Sequence, residues 1–163
     1  MTTEGNNQNL MPINGGKTGM QPSYAVPGWL LAWQPRDAMP MGRAEFDREK
    51  GCILAVRETA PPEAVAVALE RLTSWLEAFG LMADDEHVPL VIDGYRKALE
   101  RVPADLIGMA VEGVTTGLKY HRRPLPNDIL AAVQPEIDRR NLAALKLELV
   151  GIVYGWPKEG LRP

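Results

Sequence analysis

From residue 44 onward, apolar positions return at steps of three and four, the period of helices with one buried face. In "PPEAVAVALERLTSWLEAFG" (61–80), Val65, Leu69, Leu72, Leu76 and Phe79 fall on one side, with Trp75 beside them. Pro61 and Pro62 open this run, where a missing N–H costs nothing, and Gly80 fits its C-terminal stop. In the next run, 83–102, Val91, Tyr95, Leu99 and Val102 share a face, and Asp84 or Asp85 is placed to cap it. The run 103–121 carries Ile107, Ala110, Val111, Val114, Leu118 and His121 on one face. Gly108, Gly113 and Gly117 interrupt it, each at a cost of about 1 kcal/mol relative to alanine, and mark close packing of a neighbouring helix. The last run, 126–155, is predicted to start at an Asn127 cap and to be kinked or split by Pro135. Residues 43–58, "RAEFDREKGCILAVRE", fit a short helix or a helix followed by a strand, because Gly51 interrupts either.

The first 44 residues differ. They are rich in Gly, Asn, Gln and Pro and carry five formal charges: Glu4, Lys17, Arg36, Asp37 and Arg43. Such a stretch buries too little apolar surface to offset its ordering entropy, so residues 1–22 are expected to be disordered or an arm. "NGGKTG" (14–19) is no phosphate loop, since the glycine that pattern requires is Met11 here. "YAVPGWLLAWQP" (24–35) is the exception in the arm. Trp29, Leu30, Leu31 and Trp33 must pack back on the core or dock on a partner. No period-2 alternation of any length occurs. The expected fold is all-α: a compact bundle of four to five helices over 44–156, behind a flexible arm (1–43) and before a short tail (157–163).

Composition narrows the functional classes. Hydrophobic residues make up 45% and charged residues 24% of the 163, ordinary for a globular chain. The net charge of −3 argues against a protein held on nucleic acid by bulk charge. A single cysteine, Cys52, excludes a disulfide framework and a cysteine-rich zinc site, and reads as a small buried hydrophobe. No apolar run reaches the roughly 18 residues of a membrane span. The N-terminus lacks the basic start and apolar stretch of a signal peptide, so a cytoplasmic location is expected. "DDEH" (84–87) reads as a solvated loop, because consecutive residues converge poorly on one metal ion. No metal or cofactor is expected.

One cluster stands out for chemistry. Lys119, His121, Arg122 and Arg123 crowd the end of the Gly-rich helix before Pro124 and Pro126. Cations at a helix C-terminus are favourable by about 0.3–1 kcal/mol, which alone accounts for them. The functional reading is contact with a phosphate or an acidic partner, near the free N–H groups that open the next helix. Asp128 counts against it by placing a negative charge there. His121 lacks the nucleophile and orienting carboxylate a catalytic base requires. "DRR" (138–140) with Lys146 reads as a solvated face.

Trp75, the step Val102-Pro103-Ala104-Asp105-Leu106, Ala110-Val111, the Pro124–Pro126 turn and Asp128-Ile129-Leu130 follow one another over residues 65–148. This layout resembles small phage and prophage proteins found among replication genes, and the N-terminal helical domain of phage replicative-helicase loaders and inhibitors. The chain departs from them just before the turn, where Arg123 stands in place of an aromatic and Tyr120 lies three residues earlier. The resemblance implies a non-enzymatic protein of the bacterial host cytoplasm that binds a replication protein, the replicative DNA helicase foremost. Loaders tend to engage helicase through a flexible C-terminal region. Residues after Gly155 are few here, so the arm with Trp29 and Trp33 is the expected docking element. Two other classes stay open: a nucleic-acid-binding regulator using the 119–123 cluster, and a virion or assembly component using the Trp-rich arm.

Overall fold

The computed structural model of the chain describes residues 24–38, 41–82, 86–117, 122–157 and 160–161. These residues are all-α. They form α1 (Gly28–Ala32), α2 (Arg43–Ala55), α3 (Pro62–Ala78), α4 (Val88–Leu99), a 3-10 turn (Ala104–Leu106), α5 (Ile107–Gly117) and α6 (Pro126–Tyr154).

Two apolar cores lie side by side, and α6 runs through both. The first joins Val65, Leu72 and Leu76 of α3, Tyr95 and Leu99 of α4, Val111 and Val114 of α5, and Ile129 and Val133 of α6. The predicted faces of α3, α4 and α5 are the buried or partly buried ones as far as they are described; Val102 packs from beyond α4, and Leu118 lies outside the described residues. Each fully buried aliphatic side chain contributes about 1.5–3 kcal/mol. Phe79 departs from its face: it is exposed at the end of α3, its ring tilted against Trp75 at 5.1 Å. Gly113 fulfils the close-packing expectation. A Cβ there would lie 2.7 Å from the Cβ of Ala132, so α5 approaches α6 only because that position has no side chain.

The second core joins Val26, Leu30 and Trp33 to Phe46 and Ile53 of α2, Ala143, Ala144, Leu147 and Val150 of α6, and Leu161. Residues 24–33, expected as part of an arm, are therefore packed, and α1 lies against α6. Their apolar side chains are dense enough to find a groove although the flanking composition is polar. Leu161, expected in the tail, is fully buried as well. Residues 43–55 form one helix, with no strand after it. Phe46 and Ile53, seven apart, share its buried side, as the helical period requires. Gly51 faces open space and does not interrupt it.

α6 has 29 residues and so is about 43 Å long. Pro135 does not split it. The ring removes the N–H that would serve the Ala131 carbonyl, but Ala131 and Pro135 are both exposed, where water can take that place. The helix opens at Pro126 and not at an Asn127 cap. Asp128 closes this end instead, its carboxylate accepting the Leu125 N–H at 2.7 Å. Gly155, at φ 67°, ends α6 in the left-handed conformation that glycine adopts without strain.

Between the cores, the segment after α2 pairs with the segment after α4. Ala60 N–H donates to Val102 O and Ala104 N–H donates to Glu58 O, each at 3.0 Å. Beside them Arg140 of α6 is buried, with 1% of its surface exposed.

Candidate interaction site

The basic turn is only partly in view. Lys119 and His121 lie outside the described residues, as do Asp84, Asp85 and the "NGGKTG" segment. Arg122 and Arg123 are exposed. The turn is pinned from α4 by the buried Tyr95 hydroxyl, which donates to Pro124 O at 2.6 Å. Arg122 does not stand free: its Nη1 meets Asp128 Oδ2 at 2.9 Å. The Leu125 N–H holds the Asp128 carboxyl below the usual carboxylate range; burial opposes this and Arg122 reinforces it. Burial pushes the Tyr95 phenol up, with Arg123 pulling the other way and Asp128 adding to the rise. Arg123 borders a pocket of about 190 Å³ that also meets Leu90 and Leu125, both exposed.

The two tryptophans part ways. Trp33 is buried in the second core, and its indole N–H donates to Ala38 O at 3.3 Å. It is a structural residue here, because α1 turns that side of the segment onto α6. Trp29 is 40% exposed and is the tryptophan of the pair that a partner can reach. Two cations expected on a solvated face instead hold this segment down. Lys146 Nζ donates to Trp33 O at 2.6 Å, and Arg139 Nη2 donates to Val26 O at 3.3 Å. The expectation for "DRR" and Lys146 is corrected on these grounds, most sharply at Arg140.

Cys52 is a half-buried free thiol. His87 precedes α4 with no side-chain capping bond at the helix N-terminus. Among the described residues, no three His, Cys, Asp or Glu side chains gather as a metal site would require.

A further surface feature, on α6, is not among the sites expected from the sequence. Leu142, Leu145, Leu149, Ile152 and Val153 of α6 are all exposed, at 38–51% of their surface. At 100° per residue they fall in a stripe about 100° wide. Ala143, Ala144, Leu147, Val150 and Gly151 occupy the opposite, buried side. Between Leu142 and Val153 the only charged residues are Lys146 and Glu148. Lys146 is bonded to Trp33 and Glu148 is buried, so neither breaks the stripe. The signal was in "LAALKLELVGIV" (142–153), which is apolar all round. A helix of that kind is ordinarily covered on every side.

A second apolar hollow, about 370 Å³, lies between α3 and α5 against Val67, Ala68, Ile107 and Val111. No family model matches the chain, and no curated protein or solved structure matches it either.

Proposed function

We propose that this protein works without catalysis, by binding another protein through the outward apolar face of α6. The observation that carries the reading is the stripe Leu142–Leu145–Leu149–Ile152–Val153. It is apolar, contiguous and exposed on a chain otherwise rich in surface charge. Contiguous apolar patches of this kind mark interaction sites on soluble domains. Spacings of three, four and three between Leu142, Leu145, Leu149 and Ile152 suit insertion into a groove or pairing with another helix. The partner is a replication protein, with the replicative DNA helicase first. That choice rests on the layout of helices and proline turns that resembles phage helicase loaders and inhibitors. Trp29 adds a second contact on the surface of α1.

The test mixes the purified full chain with purified replicative DNA helicase and follows complex formation by sedimentation or biolayer interferometry. Leu145→Ser/Leu149→Ser is expected to weaken the complex at least tenfold, since interface energy concentrates in a few apolar anchors. No complex at micromolar concentrations would remove the helicase as partner. A complex indifferent to this double substitution would remove α6 as the surface. A salt-sensitive shift of DNA lost in Arg122→Ala/Arg123→Ala would favour the nucleic-acid class instead.

A further inference from the structure

The seam between the two cores holds a small pocket of about 140 Å³, distinct from the α6 stripe. It is lined by Arg57 after α2, Arg101 and Pro103 after α4, and Ile137, Arg140 and Asn141 of α6. Three arginines and one asparagine line it, and no Asp or Glu is among the lining residues. In a chain of net charge −3 this is a concentrated local excess of positive charge.

The three arginines are held differently. Arg140 is locked by four hydrogen bonds: to both Asp105 oxygens (2.9 and 2.7 Å), to Glu136 Oε1 (3.3 Å) and to Val56 O (2.7 Å). A guanidinium has five N–H donors, so one remains. Its charge is balanced by Asp105 and Glu136. Arg57 is half-buried and fixed through Nη1 to Leu161 O at 3.0 Å. That bond is to a neutral carbonyl, and among the described residues no ion pair offsets the Arg57 charge. Arg101 is exposed, and its side chain has no hydrogen bond or ion pair with any described residue. The Asn141 amide is likewise without a described side-chain partner. Two cations with no ion pair among the described residues, and an amide without a described side-chain partner, thus border one concavity together with Pro103 and Ile137.

We propose that this pocket binds a phosphate-type oxyanion. Guanidinium groups offer paired N–H donors that match phosphate oxygens, and charge-assisted bonds of this kind are about twice as strong as neutral ones. Donors arriving from the segments after α2 and α4 and from α6 suit a tetrahedral anion with oxygens on several sides. A planar monocarboxylate offers only two. At about 30 Å³ per water molecule the pocket has room for roughly four or five waters, enough for an oxyanion head group. Bound there, the anion joins the segments after α2 and α4 to α6.

The experiment is thermal unfolding of the full chain in increasing inorganic phosphate at constant ionic strength, with amide NMR shifts to locate the site. A saturable rise in Tm is expected, roughly 5–10 °C at a hundred times the Kd. Shifts should centre on Arg57, Arg101 and Asn141. Arg101→Gln is expected to weaken phosphate at least tenfold, and Arg101→Lys to keep part of the affinity. Arg43→Gln, remote on α2 and engaged with Asp47, should change nothing. Excluded-ion stabilisation would instead grow with concentration without saturating and ignore Arg101→Gln; that result overturns the site. Equal saturation by acetate overturns the ligand class. A nucleoside monophosphate and a short single-stranded oligonucleotide distinguish the source of the phosphate. Preference for the first upholds a small-molecule site, preference for the second a backbone-phosphate site, and failure of both with free phosphate sinks the proposal.

Discussion

Arg140 of α6 and Asp105 of the 3-10 turn face each other in a two-pronged ion pair, Nη1 to Oδ1 at 2.9 Å and Nη2 to Oδ2 at 2.7 Å. The pair ties residues 35 apart in sequence at the point where the two cores meet. Burial disfavours the guanidinium charge, but Asp105 and then Glu136 outweigh it and hold Arg140 above the ordinary arginine pKa. Arg140 also donates to Val56 O, so one side chain gathers the ends of α2, the turn before α5 and the middle of α6. Arginine suits this place because its planar fork serves three acceptors while staying charged.

Arg140→Met should therefore destabilise the chain by about 3–5 kcal/mol, because it removes the guanidinium that pairs with the largely buried Asp105 carboxylate. Urea denaturation measures this. Adding Asp105→Leu to the same chain should recover much of the loss, since a buried pair replaced by apolar groups is close to neutral. If Arg140→Met alone costs under 1 kcal/mol, the ion pair is not the joint between the cores.

Leu145→Ser/Leu149→Ser should behave in the opposite way. The side chains are 46% and 38% exposed, so the loss of stability should stay at about 1 kcal/mol per site. Solubility should improve as apolar surface is removed. A loss of several kcal/mol would mean that this face is covered within the chain itself.

Gly113→Ala tests the close approach of α5 to α6. Alanine gains about 1 kcal/mol of helix propensity. Against that, its Cβ would meet Ala132 Cβ at 2.7 Å, and overpacking costs about 1–3 kcal/mol. We expect a net loss, reversed when Ala132→Gly is added. A stabilised Gly113→Ala would show that the helices are not in tight contact there.

Asp128 gives a pH dependence whose sign follows from its lowered pKa. A carboxyl with a folded pKa below its unfolded value contributes fully above the unfolded value, near pH 4. The contribution fades as pH falls from there toward the folded pKa. Asp128→Asn keeps an oxygen that can accept the Leu125 N–H but removes the charge, so it should cost about 0.3–1 kcal/mol at neutral pH and nothing at the acid end. Parallel stability curves for the two proteins between pH 2 and 7 would contradict this.

Much of the fold was legible locally. The period of Val65, Leu72 and Leu76, the Pro61–Pro62 start and the Gly80 stop define α3 without help from elsewhere. Tyr95 and Leu99 do the same for the buried side of α4, although the helix ends at Leu99 and Val102 packs from the segment after it. Gly113 announced a close neighbour, though not which one. The candidate site was less legible. Asp128 was legible as a negative charge beside the basic turn, but not that it pairs with Arg122, six residues before it. Trp33 and Trp29 could not be told apart, because which of them faces α6 depends on how the short α1 is laid down.

What this sequence determines by itself is where helices start, stop and carry an apolar side, because those preferences act over one or two turns of backbone. Tertiary structure decided which apolar sides find a partner within the chain. "LAALKLELVGIV" is apolar all round, but only the packing of α1 and α2 onto one side leaves Leu142, Leu145 and Leu149 facing outward. Packing likewise drew Arg140 inward to Asp105 and set Arg57 and Arg101 around one pocket. Burial and charge pairing are properties of neighbours in space, and residues 35 or more apart become neighbours only once the chain has folded.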